Sequence, residues 1–262
     1  MTAALNVGSL EPAQKEALRR LIVTLADTKR LIGIRYSDWL LGAPSIETGI
    51  AASSMTQDEW GHARLLYAML KDLGVDPASI EHDRSAEEYA SMAALDEEMP
   101  DWAALVAVMT LVDGALSAVL ASFASGSFEP ARSRVPKMLA EEEFHASLAA
   151  AWYRRLAGTE GEALELLTGA TNAMLPSVIA WVGAEDDSAL SMVEAGVIGA
   201  AEERLAAFKD AVHDLTALVG VDVDAVEPSD AWDPARGRTV GQPNEESVER
   251  ARGDRNRALL VE

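Results

Sequence analysis

The stretch TQDEWGHARLLYAML, residues 56–70, sets Glu59 and His62 three residues apart inside a long apolar pattern of helical period. The second half of the chain repeats the arrangement in AEEEFHASLAAAWY, residues 140–153, with Glu142 and His145. A spacing of three puts both side chains on one helical face. Following alternate steps of three and four traces the face each helix buries. In the first stretch that seam is Ala52, Met55, Glu59, His62, Leu66, Met69 and Leu73. In the second it is Val135, Met138, Glu142, His145, Ala149, Trp152 and Leu156. A third apolar line, Val106, Met109, Asp113, Leu116, Leu120 and Phe123, carries a single acid. Five ionisable side chains therefore point into the interior of one helical bundle.

An unpaired buried carboxylate costs several kcal/mol, and its usual remedies are a shifted pKa, a partner cation or a bound metal. Paired Glu-x-x-His helices joined by carboxylates from the other helices describe a ferritin-like dinuclear bundle. Oxygen and imidazole ligands without thiolate suit iron, as a di-iron or single-iron centre, or manganese, and ligand type alone leaves zinc open. Against this stands the reading of each histidine, taken singly, as a hydrogen-bonded core residue. The seam methionines 55, 69, 109 and 138 read as ordinary core fillers. His82 and His213 fall outside the seams and read as surface residues, and Glu141 and Glu143 as facing solvent or a neighbouring helix.

Long segments of helical period, with no run of alternating β-type residues, make the fold class all-α. Helices are expected at about residues 11–41, 46–73, 100–124 and 135–157, with Pro136 in a first turn, and two shorter stretches at about 85–95. Further helices are expected at about 162–173 and 188–219, with Pro176 breaking the region between them. A helical domain over residues 1–226 is followed by 227–262, polar and rich in Pro, Gly and charge, which reads as an extended tail. The 262 residues are 49% hydrophobic, ample for a core. With no cysteine, disulfides and thiolate sites are excluded. A formal charge of −21 argues against nucleic acid or an anionic membrane as partner. The N-terminus lacks the order of a secretory signal and no uninterrupted apolar run reaches membrane-spanning length, so a cytoplasmic protein is expected.

In these motifs the chain resembles the phenylacetyl-CoA epoxidase oxygenase subunits of phenylacetate catabolism, members of the ferritin-like superfamily. QDEWGHARLLYAM, LVDGAL, AEEEFHASLAAAWYRRLAG and MLPSVIAWVG, in that order between about residues 25 and 186, carry the likeness. The resemblance implies a four-helix bundle, a di-iron oxygenase using dioxygen on a small organic substrate such as a coenzyme A thioester, and electrons from a separate reductase. It also implies pairing with a homologous subunit in a homo- or hetero-oligomer, because one branch of the family keeps the bundle but has lost metal ligands. Glu59, His62, Asp113, Glu142 and His145 match the metal ligands of the catalytic branch. LADTKRLIGIRYSDWLLGAP, residues 25–44, is more similar to the structural branch.

The first-helix carboxylate of the catalytic branch would fall at position 29, where this chain has Lys29. The seam Leu18, Ile22, Leu25, Lys29, Ile32, Tyr36 and Trp39 independently aims Lys29 inward. Asp27 lies about 200° round the helix and needs a register shift to substitute. Three readings stay open. Metal binds at least at Asp113, Glu142 and His145 while Lys29 hydrogen-bonds a carboxylate; or Lys29 replaces the metal charge in a structural partner subunit; or Lys29, with a lowered pKa, is itself catalytic as a base or amine.

Overall fold

The computed structural model describes residues 5–253 and Leu259. Helix α1 spans Pro12–Asp38, begun by Pro12 at its first position and by Gln14, whose side-chain oxygen accepts from the Glu11 N–H at 3.1 Å. Helix α2, Ile46–Ala68, starts at Ser45, whose hydroxyl caps the Thr48 N–H at 3.2 Å, and runs into a 3-10 turn at Met69–Leu73. The two helices pack face to face. Their approach needs Gly33, since a β-carbon there would lie 2.5 Å from the Trp60 indole nitrogen. A short helix α3, Pro77–His82, and irregular chain lead to α4, Trp102–Ala107.

Helix α4 passes through a π-helical turn at Val108–Val112 into α5, Asp113–Ser125. Helix α6, Glu129–Ala157, completes the bundle by packing on α5, α2 and α4. Segments 102–125 and 162–182 are each long and apolar enough to cross a membrane. The first is 89% buried within the bundle, so its apolar length is core packing. All four expected seams are buried over the stretch that matters: Leu18 to Tyr36, Ala52 to Met69, Val106 to Phe123 and Val135 to Ala149. Among their outer ends, Trp39, Leu73, Trp152 and Leu156 are half-buried.

Three local expectations need correction. Helix α6 begins six residues earlier than position 135, with Pro130 rather than Pro136 in its first turn, and Pro136 is absorbed within it. Pro176 does not break the chain: it lies inside α7, Glu162–Val182, a helix held by buried Leu175, Val178 and Ile179 around it. Packing compensates the one lost N–H bond. The single helix expected at 188–219 is two, α8 at Asp187–Glu194 and α9 at Ala201–Ala217. Gly196 separates them, with the left-handed φ of +67° that a helix cannot continue.

Beyond Val226 the chain forms a two-residue antiparallel pair, β1 (Trp232–Asp233) with β2 (Arg238–Thr239), and helix α10, Glu245–Arg252. Arginines tie this segment to the bundle. Arg238 is fully buried and donates to Asp96 Oδ2 at 2.5 Å, and Arg35 donates to Ser247 Oγ at 2.6 Å. Arg30 donates to the Ala251 carbonyl. The Arg35 and Arg30 contacts hold α10 against α1.

Candidate metal centre

The bundle brings all six sequence-predicted residues, Lys29, Glu59, His62, Asp113, Glu142 and His145, into one buried cluster, none more than 4% exposed. Lys29 Nζ is its hub. It donates to Glu59 Oε1 at 3.1 Å, Asp113 Oδ1 at 2.9 Å and Glu142 Oε1 at 2.5 Å. Burial pulls the ammonium down, but Asp113, Glu142 and Glu59 outweigh it and hold the Lys29 pKa well above its ordinary value. Lys29 is therefore a fixed positive charge, the opposite of the lowered pKa that a base or amine nucleophile needs.

The two imidazoles are cross-braced. His62 Nε2 lies 2.7 Å from Glu141 Oε2, while His145 Nε2 lies 3.4 Å from Asp58 Oδ2. Each acid directly precedes the glutamate of its own motif yet serves the histidine of the other. Both rings consequently aim Nδ1 inward. His62 Nδ1 is 3.1 Å from Glu142 Oε1, and His145 Nδ1 is 3.2 to 3.4 Å from Glu59, Asp113 and Glu142. A carboxylate on the outer nitrogen is the arrangement that fixes the tautomer and orientation of a metal-bound histidine. Tyr36 adds a donor, its hydroxyl reaching Asp113 Oδ2 at 3.1 Å.

Charges follow the geometry. Burial opposes a charged His145, but hydrogen bonds to Asp113, Glu142 and Glu59 hold its pKa up to about 12. Burial raises Glu59 to about 7, helped by Glu142 and only partly countered by Lys29. Glu142 is also pushed up by burial, yet Lys29, His145 and His62 bring it well below the ordinary range. Without a metal, the positive charges of Lys29 and His145 offset the carboxylates.

The cluster can hold a cation, and Lys29 bridges three of its carboxylates. Glu59, Asp113, Glu142 and His145 each offer a ligand atom within 4.8 Å of the others. Glu59 Oε2, Glu142 Oε2 and His62 Nδ1 make no well-directed hydrogen bond and are held by ion-pair contacts alone, to Lys29 Nζ at 3.0 Å, His145 Nδ1 at 3.4 Å and Glu142 Oε1 at 3.1 Å. Lys29 Nζ, bonded to Glu59, Asp113 and Glu142, stands at the α1 position where the family resemblance leads one to expect a carboxylate. Asp27 does not substitute. It faces away from the cluster, accepting from Tyr67 at 2.6 Å, from Arg84 at 2.5 and 2.9 Å, and from the Ala90 N–H at 2.8 Å.

Over residues 1–248 the chain matches the phenylacetic acid catabolic protein family. The chain belongs to that family. No curated protein matches it. Asp58 and Glu141 are site residues off the seams, Glu141 reaching His62 on the neighbouring helix, and Tyr36 is a seam residue to which the sequence reading gave no role. The acidic doublets Asp58–Glu59 and Glu141–Glu142 were their visible signal, and Tyr36 lies on the α1 seam itself. His213 is exposed, whereas His82 is half-buried with Nδ1 3.1 Å from the Arg252 carbonyl, and neither reaches the cluster.

Proposed function

We propose that the chain is a metal-dependent oxidoreductase of the phenylacetic acid catabolic family, working on a small organic substrate at a centre that holds one cation beside Lys29. The cross-bracing of His62 and His145 carries this reading, since a carboxylate on the outer ring nitrogen aims Nδ1 of each into the cluster, the orientation a coordinating imidazole takes. Glu59, Asp113, Glu142 and His145 would hold the ion. Bound iron, or manganese in its place, supplies one-electron chemistry toward dioxygen. The protein's own share is to position and to exclude water. Lys29 gathers the three carboxylates round one ammonium and offsets their repulsion, and Tyr36 orients Asp113. Buried Ile32, Met55, Met109 and Met138, neighbours along the seams, keep bulk water out. Electrons come from a separate reductase, and a homologous subunit is the expected oligomeric partner.

A second reading, a metal-free structural partner of a catalytic homologue, is favoured by one observation: the Lys29 ammonium bonds all three carboxylates at once. Loading with ferrous ion under reductant separates the two. The oxidoreductase reading predicts retained iron and dioxygen uptake that depends on an organic substrate, both lost in Glu142→Ala. Failure to retain iron or manganese contradicts it and leaves the partner reading standing.

A further inference from the structure

Three of the chain's six tryptophans meet at one end of the bundle. Trp39 closes α1, Trp102 opens α4, and Trp152 lies near the end of α6. Their rings meet edge to face, with centroids 5.9 Å apart for Trp39 and Trp102 and 5.3 Å apart for Trp102 and Trp152. All three are half-buried, so the outer end of the stack meets solvent. The inner end reaches the centre. Tyr36 sits one turn before Trp39 on the same seam of α1, about 4.5 Å back along the helix axis. Its hydroxyl donates to Asp113 Oδ2 at 3.1 Å, and its ring stands edge-on to the His145 imidazole with centroids 6.5 Å apart. A file of oxidisable rings therefore leads from the carboxylate cluster to the surface.

Edge-to-face packing accounts for aromatic rings at a bundle end. It does not account for Trp102 Nε1, which is buried without a hydrogen-bond partner, a cost that a phenylalanine would avoid. For electron transfer the same feature is useful. An indole that has lost an electron becomes acidic at its N–H, and one with a base beside it deprotonates and traps the vacancy. Trp102 has no acceptor, so it keeps its proton, stays strongly oxidising and passes the vacancy on. At the outlet, the Arg155 guanidinium carbon lies 4.8 Å from the Trp152 ring centroid. Its charge disfavours a cation on that ring, which makes exchange with solvent the slow step and favours inward movement of a vacancy placed there.

We propose that Tyr36, Trp39, Trp102 and Trp152 form a one-electron relay that discharges a dioxygen-derived oxidant at the centre when no substrate consumes it. The oxidant takes one electron from Tyr36, whose phenolic proton shifts to Asp113 Oδ2. Trp39 returns an electron to Tyr36 as the proton moves back, Trp102 refills Trp39, and Trp152 refills Trp102. A small reductant in solution, such as ascorbate, gives the last electron to Trp152. One electron has then passed from solution to the centre, and every ring ends as it began. The supply of oxidant rests on the oxidoreductase reading above, but conduction through the rings does not.

The chain has no cysteine, so Ala151→Cys, exposed beside Trp152, takes a single ruthenium polypyridyl photo-oxidant. Laser flash-quench of this labelled, metal-free protein withdraws an electron from Trp152. Transient absorption is expected to show a tryptophan radical first and a tyrosyl radical growing at its expense. Tyr36→Phe keeps the ring and the tryptophan signal but loses the tyrosyl one. Trp102→Phe keeps an aromatic ring in the stack, and the vacancy then stays at Trp152 with no tyrosyl radical. The proposal is overturned if the labelled parent forms no tyrosyl radical, or if Trp102→Phe forms it as fast as the parent. It is equally overturned if Tyr36→Phe leaves that radical intact, since its source is then another tyrosine such as Tyr153, which is hydrogen-bonded to Thr171. A chain that relays the vacancy but retains no iron keeps the relay and loses the oxidoreductase reading. One that retains iron and forms no Tyr36 radical does the reverse.

Discussion

Lys29→Met preserves most of the side chain's length and bulk while deleting the ammonium that donates to Glu59, Asp113 and Glu142 at 3.1, 2.9 and 2.5 Å. Three carboxylates are then left in a fully buried space with only imidazoles to neutralise them. Removing one member of a buried ion pair costs about 3–5 kcal/mol. The lower end applies if Glu59, already raised to about 7, takes up a proton. For 262 residues, an unfolding entropy of about 2.1 cal/mol/K per residue gives about 0.55 kcal/mol/K, so the melting temperature falls by about 5–9 °C. Scanning calorimetry at neutral pH with a chelator present reads this directly. The deficit shrinks on acidification, as the stranded carboxylates protonate, and ferrous or manganous ion recovers part of it by supplying positive charge. A loss under about 1 kcal/mol, or a deficit that grows as pH falls, refutes the role given to Lys29.

Metal affinity rises with pH. His145 is held up to about 12, so its inward nitrogen carries a proton at neutral pH that coordination must displace. Each proton released makes affinity climb by about tenfold per pH unit, and a flat titration contradicts this. Glu142 lies well below its unfolded value, so its stabilisation is complete above an unfolded pKa of about 4.3 and is lost as pH falls through the folded one. Glu142→Gln accordingly flattens the acid limb of urea-denaturation stability against pH, and an unchanged limb counts against the assignment. Asp27→Asn strips Arg84 of its charged partner and costs about 3–5 kcal/mol by denaturant titration. It leaves metal content unchanged, and a loss of metal would return Asp27 to the ligand set.

Much of this site was legible because the helical period is rigid: once Glu59 and His62 share a seam with Met55 and Leu66, their inward direction is fixed by 3.6 residues per turn. The same arithmetic placed Lys29 at the centre and turned Asp27 away. What stayed hidden depends on how helices face one another. The doublets Asp58–Glu59 and Glu141–Glu142 were visible, but which histidine each outer acid braces is decided by the apposition of α2 and α6. Likewise the tryptophan stack needs the ends of α1, α4 and α6 brought together, and no local pattern in any one of them specifies that contact. Pro176 misled for the opposite reason, because local propensity gave way to packing around Leu175 and Val178.

Metal stoichiometry of the parent chain and Lys29→Glu, loaded side by side with ferrous ion, is the most direct measurement. The parent is predicted to hold about one ion per chain and Lys29→Glu about two, since the substitution restores a first-helix carboxylate and removes the ammonium from the second position. About two ions in the parent, or the same count in both proteins, contradicts the placement of Lys29 in the centre.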